Sequence, residues 1–174
     1  MKIHSIRVVL AAALFAVSAL AQGKRPSPPE QTAIRLDGHE VTIKYSAPYA
    51  KGREIWGGLV PYGQVWRLGA NEATSLSTDA DLKIGDLNVP KGNYTLYMLP
   101  GASESLLIVN KQTGQWGTEY SEGQDLGRVK LTKAPASPGV EQLAIQLKPA
   151  GSGSATLSIR WEKAEFSVPV TLGN

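Results

Sequence analysis

The chain has 174 residues, with 18 Lys and Arg against 15 Asp and Glu, two His and no Cys. The missing cysteine excludes disulfides, thiol nucleophiles, thiolate metal sites and a lipid-modified cysteine. Scattered cations and a formal net charge of +3 leave no nucleic-acid footprint.

Residues 1–21 read as a signal peptide. Lys2 and Arg7 precede the apolar run Val8–Leu20, and Ala19-Leu20-Ala21 fits the small-x-small cleavage rule, so the expected mature start is Gln22. The run is too short to span a membrane as a helix, which needs roughly 20 residues. The mature chain is expected to carry no membrane span and to work in the periplasm or the extracellular space. Cleavage removes Lys2 and Arg7 and leaves 16 basic residues against 15 acidic ones, so the pI of about 9.1 overstates the working charge. A mature chain of this size suits one domain, which buries roughly 70% of its unfolded surface.

Gln22–Thr32 holds three prolines and almost no apolar residue, and it reads as a flexible lead-in before a single domain over 33–174. Ala33–Leu36 and His39–Tyr45 flank Asp37-Gly38, a strong hairpin signal because a type I′ turn needs positive φ at both central positions. Val41, Ile43 and Tyr45 fall on one face of the second strand. Further strands are expected at Thr74–Thr78, Asp81–Ile84, Leu87–Val89, Asn93–Leu99, Leu106–Val109, Arg128–Thr132, Val140–Lys148, Ala155–Trp161 and Phe166–Leu172. Pro169 places the last strand at an edge or a bulge. The turn spacing is that of β-sandwiches and barrels. The expected fold is all-β, an antiparallel β-sandwich of jelly-roll type with about nine or ten strands.

One segment does not alternate. Lys51–Thr74 combines Trp56, Tyr62 and Trp66 with Arg53, Arg67 and several glycines. Its core, Trp56-Gly-Gly-Leu-Val-Pro-Tyr-Gly-Gln-Val-Trp-Arg-Leu-Gly-Ala-Asn-Glu-Ala-Thr74, resembles the signature of the bacterial exported family of domain of unknown function 2911. The runs Lys91–Gly101, Asn110–Gly117, Trp161-Glu-Lys and Val168-Pro-Val170 resemble that family in the same order, so the similarity covers roughly Ile34–Leu172. The resemblance implies an exported, single-domain β protein and brings no activity, cofactor or catalytic residue with it.

The residues themselves narrow the chemistry. After cleavage only His39 remains, beside a turn, so neither a histidine metal centre nor a Ser-His-Asp relay is expected, and no metal or cofactor is assigned. No nucleophile elbow, phosphate loop or calcium loop is present. Glu72, Glu119, Glu122 and Asp125 are the carboxylates that a hydrolase would pair, with Arg67 beside them. An ion pair of Glu72 with Arg67 or Arg53 is the structural alternative. The aromatics carry the favoured reading, because indole and phenol rings stack on the apolar faces of sugars. Arg53, Trp56, Tyr62, Arg67, Asn71, Glu72, Lys111 and Trp116 are therefore the candidate ligand-binding residues, lining one groove that takes a glycan or other polar small ligand. The rival readings are a carboxylate-dependent hydrolase and a structural or interaction domain without catalysis. Whether the protein is an enzyme stays open at this level.

Overall fold

A computed structural model describes residues 25–173. The signal peptide, its cleavage site and Gln22 lie outside the described residues. Chain order begins with β1 (Pro29–Leu36) and β2 (His39–Ser46), joined at Asp37-Gly38. Both turn residues have positive φ, 46° and 89°, and Leu36 pairs with His39, as the type I′ expectation requires. β1 starts at Pro29, inside the stretch read as lead-in. Val41 and Ile43 are fully buried, and the half-buried Tyr45 accepts a hydrogen bond from the Ile145 N–H at 3.1 Å.

After a long loop come β3 (Ser75–Thr78), β4 (Leu82–Ile84), β5 (Leu87–Val89), β6 (Gly92–Leu99) and β7 (Ser105–Asn110). A short 3-10 turn, Glu122–Gln124, precedes β8 (Asp125–Gly151) and β9 (Ser154–Leu172). The nine strands form one antiparallel sheet in the order β1-β2-β3-β6-β7-β8-β9-β4-β5. The all-β, sandwich-like expectation holds.

The last two strands merge four expected ones. The first part of β8 pairs with β7, and from Thr132 onward it pairs with β9. Register shifts between Pro135 and Val140, and again before Ala144, let pairing continue where proline and glycine signalled a turn. Beyond Ser167 β9 is paired by β4 alone, so the missing N–H of Pro169 breaks no ladder there, and its carbonyl accepts from the Gly85 N–H at 2.9 Å.

The long β8 carries the sheet back over its own beginning. The Leu147 N–H donates to Thr32 Oγ1 at 3.1 Å, and the Leu143 N–H donates to the Pro48 carbonyl at 2.9 Å. Leu76, Leu96, Met98, Leu107, Ile145, Leu157, Trp161 and Phe166 fill the space so enclosed. The loop from Ala47 to Thr74 and the loop after β7 lie beside each other, with the Ala73 N–H donating to the Gln115 carbonyl at 3.2 Å and the Gly117 N–H to the Asn71 carbonyl at 3.0 Å.

Candidate functional site

The Ala47–Thr74 loop is anchored by apolar side chains. Ile55, Val60 and Leu68 are fully buried. Trp66 pairs its backbone with Met98 in both directions, at 2.7 and 2.9 Å, which extends the β6 edge by one residue. Gly69 has φ 156° and passes so close to β2 that a Cβ would lie 2.9 Å from the Ser46 carbonyl. The Thr74 hydroxyl donates to the Leu68 carbonyl at 2.8 Å and closes the loop.

Trp56 belongs to this anchor. Its Nε1 donates to the Trp161 carbonyl at 3.0 Å, its ring packs 4.7 Å from Phe166, and it meets Trp66 edge-on at 5.7 Å. Trp66 in turn stacks on the buried Trp161, at 5.7 Å and 17° between planes. Four rings thus form one corner.

In front of this corner lies a cleft of about 460 Å³. Arg53, Arg67 and Leu59 line it with the half-buried Trp66, Tyr97 lines it from β6, and Thr118 and Tyr120 line it from the other loop. No Asp or Glu lines it. Arg53 spends Nε and Nη2 on the Ala50 and Tyr49 carbonyls, at 3.0 and 2.7 Å. Arg67 spends only Nε, on the Gly69 carbonyl at 3.3 Å. Neither arginine is ion-paired to a carboxylate among the described residues. Gly117 lets the opposite loop approach, since a Cβ there would lie 2.7 Å from Arg67 Cδ.

A polar network holds that opposite loop. The Tyr97 hydroxyl donates to the Glu119 carbonyl at 3.2 Å and accepts from Gln115 Nε2 at 3.0 Å. The Tyr120 hydroxyl donates to Asp125 Oδ2 at 2.6 Å and accepts from Arg128 Nη2 at 3.1 Å. Asp125 also accepts from the fully buried Asn110 at 2.9 Å and from Arg128 Nε and Nη2 at 3.1 and 3.0 Å. Burial pushes the Tyr97 phenol above its ordinary range. The Tyr120 phenol is pushed up to about 12, by burial first and then by its bond to Asp125.

The structure brings Arg53 and Arg67 to this cleft and sends the other candidates elsewhere. Trp56 stands behind it, in the aromatic corner. Tyr62 is exposed and covers Gly57. Asn71 sits at φ 57° and donates to the Ser27 carbonyl at 3.3 Å, tying down the start of the chain. Glu72 pairs with Arg25 at 2.9 Å, not with Arg67 or Arg53, and its own backbone N–H together with Arg25 holds its carboxyl below the usual range. It lines a separate depression with Glu30, Lys44 and Tyr45. Trp116 is 47% exposed and pairs its backbone with Glu72, and Lys111 is an exposed loop residue bonded through its N–H to Gln124.

Of the carboxylates weighed for hydrolysis, Glu122 and Asp125 are engaged by Arg128, and Glu119 meets Tyr97 through its carbonyl. No group of three or more His, Asp or Glu suited to a metal ion occurs among the described residues. None of their helices is long and apolar enough to cross a membrane. Sequence reasoning left Trp66, Tyr97, Tyr120 and Arg128 out of the candidate binding residues. Arg128 follows Asp125 by three residues, a spacing that signals an ion pair on a helix and not on a strand such as β8, so the pairing was not legible.

Fold and cleft define an antiparallel β domain with one cationic, ring-lined cleft between two loops. A family model described as protein of unknown function (DUF2911) matches residues 27–170, and the chain belongs to that family. No curated protein and no solved structure matches it.

Proposed function

We propose that the domain is a binding module and that this cleft takes a polar small ligand, with a glycan as the favoured class. One observation carries the reading: two arginines that pair with no carboxylate among the described residues share a cleft with the half-buried Trp66, and no acidic side chain lines it. A ring face and guanidinium donors are what a sugar or similar polar ring needs for stacking and hydrogen bonding. Glu72, Glu119, Glu122 and Asp125 do not line the cleft, so its geometry does not favour carboxylate-dependent hydrolysis. The module works outside the cytoplasm in this reading, on the strength of the leader alone. A mature N-terminus at Gln22, measured by mass spectrometry, is the check on that part.

Titration with an oligosaccharide panel should quench tryptophan fluorescence. Trp66→Phe should weaken binding by roughly 1–3 kcal/mol, the scale of interface hot spots. A second reading rests on Trp56, whose ties to Trp161 and Phe166 are those of a structural corner. If no ligand in the panel quenches the folded protein, that structural reading replaces the first.

A further inference from the structure

We infer that the ligand of this cleft is an anion, a carboxylate borne on a ring, as in the uronic-acid units of an acidic glycan. The inference rests on the binding reading above and narrows its ligand class.

The charge of the cleft is one-sided, with Arg53 and Arg67 among its lining residues and no Asp or Glu. The other arginines that make ion pairs among the described residues, Arg25, Arg35, Arg128 and Arg160, each meet a carboxylate of the chain itself. The cleft arginines are instead positioned by backbone carbonyls. Those bonds fix the side chains without neutralising them. Because Arg67 uses only Nε internally, its two terminal nitrogens remain as a planar fork among the described residues. Such a fork matches the two oxygens of a carboxylate.

The rest of the lining suits the ring that bears the charge. Trp66 and Trp161 both line the cleft, and their rings stack at 5.7 Å with 17° between planes, which holds the Trp66 ring in place. The Tyr97 and Tyr120 hydroxyls already donate their protons to Glu119 and Asp125, so they position the wall. Ser27 and Thr118 are among the residues that line the cleft, and neither hydroxyl has a hydrogen-bond partner among the described residues. Cation, ring face and uncommitted hydroxyls together describe a hydroxylated ring carrying a carboxylate.

Calorimetric titration of the full chain should use three probes: digalacturonate, its neutral digalactose counterpart and benzoate. The expected result is at least ten-fold tighter binding of digalacturonate than of digalactose, weakening as salt rises. Arg67→Gln should remove most of that preference, and Arg53→Gln, which also gives up two backbone carbonyl bonds, a smaller part. Arg67→Lys keeps the charge while losing the fork, and it should retain only part of the preference. If benzoate binds and digalacturonate does not, the carboxylate assignment stands and its source is an aromatic acid. Equal or tighter binding of digalactose overturns the anion assignment and leaves the binding reading intact. Silence from all three probes, with a positive hit elsewhere in a neutral glycan panel, overturns the inference alone. Silence throughout overturns both.

Discussion

Trp56, Trp66, Trp161 and Phe166 hold one side of the cleft, and Asn110, Tyr120, Asp125 and Arg128 hold the other. The first side is built of ring contacts between 4.7 and 5.7 Å, with only two indole hydrogen bonds, from Trp56 to the Trp161 carbonyl and from Trp161 to the Glu141 carbonyl. The second is built of directed bonds that converge on one carboxylate, whose side chain is 11% exposed. Ring packing depends on volume and is indifferent to pH. A hydrogen-bonded network depends on each partner and on its protonation state. The same cleft is therefore vulnerable in two different ways.

The largest effect is expected on the aromatic side. Trp161→Ala removes a side chain that is 1% exposed, along with the surface on which Trp66 stacks. A loss of about 3–5 kcal/mol is expected, the range for large-to-small changes at a buried aromatic. Urea denaturation measures it. A loss below about 1 kcal/mol would mean that the corner relaxes around the hole and that rings do not hold this wall.

A smaller effect is expected on the polar side. Asp125→Ala strips the acceptor from Tyr120, Arg128 and Asn110. Two of these keep another acceptor, Asn110 in the Ser121 carbonyl and Arg128 in Glu122, while the Tyr120 O–H loses the acceptor of its proton. The expected cost is about 2–3 kcal/mol, the upper part of the range for stranding buried polar groups. A double-mutant cycle with Arg128→Ala should give a coupling above about 0.5 kcal/mol. Additive losses would show that the two residues do not act as a unit.

The same contrast explains what the sequence revealed. The hairpin at Asp37-Gly38 was legible because a two-residue turn constrains φ at named positions. Strand faces were legible because period-2 burial is local, as Val41 and Ile43 show. The fusion of strands into β8 and β9 was not. Whether Pro135 and Gly139 end a strand or bulge it is decided by the partner strand, which lies more than twenty residues away. At the site, Arg53 and Arg67 were found because cations in an irregular loop stand out. Trp56 and Trp66 could not be ranked by type, since which indole meets solvent depends on Phe166 and Trp161 from β9. Glu72 found its cation in Arg25, 47 positions earlier, and no local spacing points there.

The smallest effect tests the chemical difference between the walls most directly. Tyr120→Phe keeps the ring that meets Tyr97 edge-on at 4.9 Å and removes only the hydroxyl between Asp125 and Arg128. Near neutral pH the cost should be about 1 kcal/mol, one hydrogen bond. At high pH the sign changes the comparison. The folded chain holds the Tyr120 phenol protonated up to about 12, above the ordinary 10.0 of a free phenol. The stabilising contribution is therefore whole below pH about 10, where folded and unfolded chains are both protonated, and it declines toward pH 12 as the unfolded chain releases its proton first. The native chain should lose stability over that window more steeply than the Phe variant, whose remaining slope includes Tyr45, Tyr94 and Tyr97, raised by burial, and Lys130, raised by its bond to Glu104. Trp161→Phe, a change on the aromatic side, should lower stability by a constant amount and leave the alkaline slope as it was. Urea midpoints of the three proteins at pH 8, 10 and 11 decide the matter. Parallel curves for the native and Tyr120→Phe chains would show that the phenol titrates alike in both states and that this wall does not depend on its proton.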